Sequence, residues 1–297
     1  MGVATMGRIL LFGGGGQLGT EIRRRWPAEI LSPTHGEADI TDASAIASLI
    51  EASGAQAVVN CAAFHNVERC EAEPWNAFAA NAIAVNAMAE QCAARGIRFV
   101  TFSTDYVFDG AAGRPYAERD TPNPISAYGC SKFAGELLVS RLQSNALVIR
   151  TCGVYGVRAS TTKGYTFIDR IIAQARAGEQ IRVVNDQTVS PTYAAHLAEA
   201  VASLLQRDPQ PGVYHAVNEG AVTWYDYARE TLRVAGIDHP IEPVSHTTWA
   251  SRVRRPAFSA LENAKLHTLG IAIPPWQQGV VEYIRDKASD TGVSWPA

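Results

Sequence analysis

Residues Arg8-Ile-Leu-Leu-Phe12 form a short apolar run that ends in four consecutive glycines, Gly13 to Gly16, with a further glycine at Gly19. The run reads as a buried parallel strand, and Leu18 to Trp26 reads as a helix stopped by Pro27. The glycines between them fit two overlapping spacings, Gly14-x-Gly16-x-x-Gly19 and Gly13-x-x-Gly16-x-x-Gly19. Either spacing needs glycine for the same reasons. The turn is tight, backbone N–H groups must approach a pyrophosphate, and the helix must pack close to the strand. A helix starting near Gln17 aims its N-terminus at the phosphates. A glycine-rich loop without a ligand is the competing reading, and the strand before the turn and the helix after it favour the phosphate.

The rest of the chain continues the alternation of strand and helix. Glu29 to Leu31 is a second strand, Asp42 is an N-cap for a helix over 43–52, and Ala57 to Asn60 is a third strand. Residues 74–95 form one long alanine-rich helix pattern closed by Gly96. Arg98 to Ser103 is a fourth strand, 127–142 a helix after Pro122 and Pro124, and Ala146 to Thr151 a fifth strand. This order predicts an α/β fold with a doubly wound parallel sheet covered on both faces. After Gly153 the pattern loosens: helices fit 164–177, 192–206 and 224–235, and strands fit 181–184 and 213–217. The expected division is a dinucleotide-binding domain at 1–153 plus 186–219, and a smaller, mixed substrate-binding lobe at 154–185 plus 220–297.

Composition narrows the function classes. Of 297 residues, 47% are hydrophobic and 19% charged, with a net charge of -3, ordinary for a soluble globular chain. The only basic triple, Arg23 to Arg25, reads as a solvated helix face, so no nucleic-acid partner is expected. No apolar run approaches the roughly 20 residues of a spanning helix, so no membrane partner is expected either. The start carries no signal-peptide pattern; Met1 to Thr5 reads as a loose leader and Met6 as a second start site. The five cysteines, an odd number without metal or redox spacing, fit a reduced cytoplasmic protein. Glu68, Glu71 and Glu73 cluster, but no histidine is spaced to complete a ligand set, so no metal is expected.

Tyr128-Gly-Cys-Ser-Lys132 places a phenol and an ammonium four residues apart, on one face of the predicted helix. Reduction of a carbonyl needs a proton at oxygen as hydride reaches carbon. A phenol is a poor acid–base group at neutral pH, and a neighbouring Lys⁺ favours its anion. Thr104 follows the fourth strand, at the end where ligands bind in open parallel sheets, and its hydroxyl is placed to hold the substrate oxygen beside Tyr128. An exposed amphipathic helix is the bland alternative for Tyr-x-x-x-Lys. The upstream glycine turn and Ser103-Thr104 favour the chemical one. The cofactor is read as NADP, with NAD left open. The stretch Leu31-Ser-Pro-Thr-His35 lacks the acid that usually meets free ribose hydroxyls, and Ser32, Thr34 and His35 could instead meet a 2′-phosphate. Asp39-Ile40 lies near the adenine if the loop curls back.

Together, Phe12-Gly-Gly-Gly-Gly-Gln-Leu-Gly19, Val59-Asn-Cys-Ala-Ala63, Ser103-Thr-Asp-Tyr-Val-Phe108 and Tyr128-Gly-Cys-Ser-Lys132 resemble an extended short-chain dehydrogenase/reductase. More closely, the chain resembles the dTDP-4-dehydrorhamnose reductase family. Further matches are Asp39-Ile-Thr-Asp42, Asn185-Asp-Gln187, Thr223-Trp224-Tyr-Asp-Tyr227, and Arg255-Pro256 with Ser259; the likeness runs from about Arg8 to Tyr283.

The resemblance implies a Rossmann-type sheet and an NAD(P)H-dependent reduction of a keto-sugar nucleotide of the 4-keto-6-deoxyhexose type, with Thr104, Tyr128 and Lys132 as the catalytic set. It implies that Gly13, Gly16, Gln17, Leu18 and Gly19 hold the pyrophosphate and that Asp39 and Ile40 meet the adenine. Ala62, Ala63, Phe64 and Ser103 would line the cofactor, beside Tyr128 and Lys132, and Val67 and Asp105 would stand near the sugar. A homodimer is compatible with it. The departures fall on the sugar side. Gly153 stands where the family has tryptophan, Ala260 where it has arginine, and Phe64-His65-Asn66 where it has a His-Thr-Ala type sequence. Losing an aromatic wall and a cation there points to a differently shaped keto-sugar nucleotide, with Gly153 opening a pocket that His65 could share. The alternative from another class is a cofactor-binding regulatory subunit without turnover, as the same superfamily contains.

Overall fold

The computed structural model describes residues 7–158, 164–248 and 253–291; the expected leader, Met1 to Thr5, and Met6 lie outside the described residues. The chain opens with β1 (Ile9–Phe12), and α1 (Gln17–Arg25) follows the glycine turn at once. β2 (Ile30–Leu31), α2 (Ala43–Ser53) and β3 (Ala57–Asn60) come next. Asp42 caps α2, its carboxylate accepting from the backbone N–H groups of Ser44 and Ala45, and the left-handed Gly54 ends the helix.

The helical stretch expected over 74–95 is not one regular helix. After α3 (Val67–Ala72) the chain forms α4 (Pro74–Phe78), a π turn over Ala79–Ile83, and α5 (Ala84–Ala94). β4 (Arg98–Thr104), α6 (Ala127–Ser140) and β5 (Ala146–Thr151) complete the first half. The second half holds β6 (Val154–Tyr155), α7 (Phe167–Arg176), β7 (Ile181–Val184), β8 (Thr188–Val189), β9 (Thr192–Tyr193) and α8 (Ala194–Gln206). It ends with β10 (Gly212–His215), β11 (Val222–Thr223), α9 (Trp224–Val234), β12 (Ile241–Val244), α10 (Ala264–Thr268) and α11 (Trp276–Thr291).

Six strands form one parallel sheet in the order β10-β5-β4-β3-β1-β2. Alternation along β1 sorts its side chains to two faces. Ile9 and Leu11 enter a core with Leu18 and Ile22 of α1 and Leu197, Val201 and Leu204 of α8. Leu10 and Phe12 enter another with Ile46 and Ile50 of α2, Val85 and Met88 of α5, and Val139 of α6. Both faces are therefore covered by helices, as the alternating sequence requires. The order reverses between β1 and β3: β2 lies outside β1, and β3 lies on its other side. A crevice opens at such a reversal, beyond the carboxyl ends of the strands.

A further core gathers Tyr155, Ile168, Ile171 and Ile172 with Tyr227, Leu232, Val280 and Tyr283. The chain crosses between the cores more than once. β10 joins the sheet beside β5, and Leu266, Ile271 and Ile273 pack into the sheet's core although their neighbours on α11 belong to the other.

Candidate active site

The glycine turn lies at this reversal. Gly13 has φ +76, and a Cβ there would fall 2.6 Å from the backbone N of Ala62, just past β3. A Cβ on Gly19 would fall 2.3 Å from the carbonyl of Gly13, so α1 packs directly on the turn. Gly15, by contrast, has nothing within 4 Å of its Cβ position, so open space lies above the turn. The N-cap of α1 is Gly16, without a side-chain cap, and the first turn of the helix carries no acid. The first N–H groups of α1 are thus left to an external acceptor, and the helix end favours an anion. These residues fit a dinucleotide pyrophosphate. Gln17 is half-buried, and Leu18 turns inward to the core.

Three polar side chains at the carboxyl ends of β3, β4 and β5 are buried with an atom lacking a partner: Asn60 Nδ2, Ser103 Oγ and Thr151 Oγ1. Asn60 Oδ1 accepts from the N–H of Ala62 at 3.0 Å, which fixes the loop leaving β3. Ala62, Ala63 and Phe64 on that loop are half-buried. Phe64 is clamped by Asn81 in the π turn. Asn81 Oδ1 accepts from the Phe64 N–H, and Asn81 Nδ2 donates to the Phe64 carbonyl, both at 2.9 Å. The same Nδ2 donates to Ser131 Oγ on α6 at 3.0 Å. One amide therefore ties the loop to the helix that carries Tyr128 and Lys132. The extra residue of the π turn is the kind of irregularity that re-aims a side chain at a functional site. Neither Asn81 nor Ser131 stands out in the sequence; an asparagine inside an alanine-rich helix pattern is the one available signal.

α6 begins where Ser126 accepts from the Gly129 N–H and where Glu71 accepts from the Ala127 N–H at 2.8 Å. Glu68 pairs with Arg255, and Glu73 with Arg69. Glu68 and Glu71 thus fasten neighbouring segments to α3, and Glu73 closes back on the helix itself. Tyr128, on the first turn of α6, meets Tyr106 edge-on at 5.9 Å between ring centres. A hydrogen bond with Thr104 draws its phenol down, but burial and the nearby Asp105 carboxylate push it well above the ordinary range. The expected lowering by Lys132 is not among the main influences on the phenol. Lys132 is 6% exposed, and its ammonium makes no hydrogen bond or ion pair among the described residues. Burial brings it down to about 8, with the Glu136 carboxylate working the other way. Glu136 is itself committed to a buried pair with Arg150, at 2.7 Å.

The end of β4 is a buried cluster. Thr104 Oγ1 donates to Asp105 Oδ1 at 3.0 Å, and Ser259 Oγ donates to Asp105 Oδ2 at 2.6 Å. Burial raises the Asp105 carboxyl, with hydrogen bonds from Ser259, Cys152 and Thr104 opposing. Ser259 and Cys152 lie far from Asp105 in sequence, and spacing gives no hint of their meeting. Thr104, Tyr128 and Asp105 are therefore together, with Lys132 one helical turn further along α6.

The other expected residues sit further out. Asp39 is exposed and accepts from the N–H and hydroxyl of Thr41, which lower its carboxyl, while Ile40 packs half-buried beside α2. Thr34 is not free to receive a phosphate: its N–H and hydroxyl both donate to Glu37 Oε2, at 2.7 and 2.8 Å. Val67 opens α3, half-buried, and His65 is exposed. Gly153 adopts φ +52, and a Cβ there would meet only Pro191 Cα at 3.4 Å and Trp224 Cη2 at 3.7 Å. The nearest indole beside position 153 is thus Trp224, and neither Phe64 nor His65 fills that space. Ala260 is fully buried and its carbonyl accepts from the Tyr116 N–H, so this departure lies in the packed interior, not on an exposed wall of the cleft. Among the described residues no group of three or more His, Cys, Asp or Glu side chains could hold a metal ion, and no helix is long and apolar enough to cross a membrane.

Comparison with known proteins places this geometry. A family model described as the RmlD substrate binding domain matches residues 7–289. The spore coat polysaccharide biosynthesis protein SpsK of Bacillus subtilis is 33% identical, over 96% of this chain and 99% of its own length. A dTDP-4-dehydrorhamnose reductase of Streptomyces griseus is 34% identical, over 93% of this chain and 92% of its own length. The crystal structure of dTDP-4-dehydrorhamnose reductase from Bacillus anthracis, in complex with NADP, superposes with a TM-score of 0.88 at 30% identity, covering 94% of this chain and 99% of that one.

Proposed function

The chain belongs to the family described as the RmlD substrate binding domain, and from that premise we propose that it is an NADP-dependent oxidoreductase that reduces the keto group of a 4-keto-6-deoxyhexose nucleotide. NAD remains the second cofactor of this reading. The observation that carries it is Lys132, a nearly buried ammonium without a hydrogen-bond partner among the described residues, one helical turn from Tyr128 and near Cys61 on the loop that leaves β3. A buried cation is costly unless something pairs with it. The hydroxyls of a nicotinamide ribose and a reacting oxygen are suitable partners.

The residue roles follow. Gly13, Gly16, Gln17, Leu18 and Gly19 hold the pyrophosphate, Asp39 and Ile40 flank the adenine, and Ala62, Ala63, Phe64 and Ser103 line the nicotinamide side. A nicotinamide held there supplies hydride to the carbonyl carbon. Thr104 orients the carbonyl oxygen, and Tyr128 donates its proton to that oxygen, leaving a hydroxyl. The raised phenol stays protonated across neutral pH, as a donor must. Lys132 holds the ribose and stabilises the phenolate that the transfer leaves behind. Val67, Asp105 and Gly153 face the sugar, with the Trp224 indole standing beside Gly153. Residues 1–153 with 186–219 serve as the cofactor domain and the remainder as the substrate lobe. A cytoplasmic homodimer completes the reading, and light scattering tests the dimer.

The decisive measurement is cofactor oxidation over a panel of 4-keto-6-deoxyhexose nucleotides. Turnover of at least one member is expected, and Tyr128→Phe should lower it by about a hundredfold or more with cofactor affinity nearly unchanged. No turnover across the panel, or a Tyr128→Phe variant running at the parent rate, would overturn the assignment.

A further inference from the structure

We propose that Arg23 and Ser32 form the seat for the 2′-phosphate of the cofactor's adenosine, a proposal that rests on the reductase reading and names the groups that set its cofactor choice. β1 and β2 are parallel neighbours, so the glycine turn after β1 and Ser32 after β2 leave the sheet side by side. They meet at Gly14. A Cβ there would come within 2.0 Å of Ser32 Oγ and 3.2 Å of Arg23 Cδ. The stem of Arg23 therefore runs back along α1 to the turn, the direction helical side chains take. Its two neighbours are occupied: Arg24 and Arg25 both pair with Glu21, and Arg25 also with Glu199. Arg23 makes no hydrogen bond or ion pair among the described residues, and it is exposed.

The region past β2 is where an adenosine ribose edge lies when the pyrophosphate sits on the glycine turn. A free 2′-hydroxyl is normally met there by a carboxylate. The first carboxylate past β2 in this chain is Glu37, and it is turned onto Thr34. What stands at the strand end instead is a hydroxyl donor and an uncommitted guanidinium. A phosphate monoester accepts from both, and the planar fork of arginine matches two of its oxygens. Of the residues in the Leu31 to His35 stretch, Ser32 is thus retained for the phosphate, Thr34 is excluded, and Arg23, which reads in sequence as mere helix surface, is added.

Binding of small fragments tests this without turnover. Calorimetric titration of the full chain with 2′,5′-ADP and with 5′-AMP should show tighter binding of 2′,5′-ADP. Arg23→Gln should weaken 2′,5′-ADP by roughly ten- to a hundredfold and leave 5′-AMP within about twofold. Arg23→Lys should restore part of the loss, and Ser32→Ala should cost a smaller factor with the same selectivity. Equal affinity of the parent for both ligands, an unchanged 2′,5′-ADP constant in Arg23→Gln, or equal losses for both ligands would each overturn the seat. A protein that holds 2′,5′-ADP through Arg23 but reduces no keto-sugar nucleotide ends the reductase reading and leaves this seat standing. Turnover with an unaltered 2′,5′-ADP constant in Arg23→Gln does the reverse.

Discussion

Lys132 shows how a single residue can cost stability for the sake of a site. In the folded, unliganded chain its ammonium gives up its proton near pH 8, against 10.5 for an ordinary lysine, because burial outweighs the pull of Glu136. Between these values the unfolded chain binds more protons than the folded one, so stability rises with pH across that window. Below pH 8 the charged group imposes its whole penalty on the fold, of order 3 kcal/mol for a shift of this size. Lys132→Met keeps the stem and removes the charge. Its unliganded form should melt higher than the parent at pH 7, and the advantage should fade between about pH 8 and 10.5 while activity is lost throughout. A variant no more stable than the parent at pH 7 would show that the ammonium is better solvated than its burial suggests. Tyr128 and Lys132 are legible in the sequence because one helix carries both, and their spacing is fixed by its geometry. The direction of their shifts is not legible, since it depends on Asp105 and on burial, which no local pattern carries.

At the scale of elements, strands and helices of the sheet are readable because their signals are local. The apolar run of β1, the glycines after it and Asp42 before α2 each act within a few residues of themselves. The π turn at 79–83 is different. Alanine suits any helical form, so nothing in Ala79-Ala-Asn-Ala-Ile83 announces an extra residue. What selects it is tertiary: Asn81 must reach Phe64 and Ser131 at once, and Gly135 of α6 lies so near that a Cβ on it would fall 2.3 Å from the Asn81 carbonyl. Asn81→Ala removes the clamp, orphans the Phe64 N–H and leaves the Phe64 carbonyl with only the Cys70 thiol, at 3.4 Å. A loss of about 1 to 3 kcal/mol in stability is expected from the one orphaned backbone group. Because Phe64 is assigned to the cofactor side, the cofactor dissociation constant should rise severalfold and the KM for the sugar nucleotide much less. An equal rise in both would mean that the π turn supports the whole cleft and not the cofactor wall alone.

Across the whole molecule, the chain returns repeatedly to the sheet, and the sugar side of the site depends on those returns. Ser259 reaches Asp105 across 154 residues, and Trp224 from α9 stands beside Gly153. Neither meeting can be read from spacing, because the connection runs through two cores whose packing decides it. Their consequence is that residues on the C-terminal side help set the electrostatics at the end of β4. The Asp105 carboxyl is buried, and Ser259 supplies its shortest hydrogen bond, at 2.6 Å. Ser259→Ala should therefore raise the Asp105 carboxyl further and cost about 1 to 3 kcal/mol in stability. The functional loss should fall on the sugar, with a several-fold higher KM for the nucleotide sugar and the acid limb of kcat/KM moved to higher pH. The dissociation constant for the cofactor should hold, since Ser259 touches none of the residues assigned to it. Isothermal titration with the cofactor and steady-state kinetics over pH 5–8 separate the two effects. A Ser259→Ala variant that loses cofactor affinity while its sugar KM stays put would show that the end of β4 serves the nicotinamide and not the sugar.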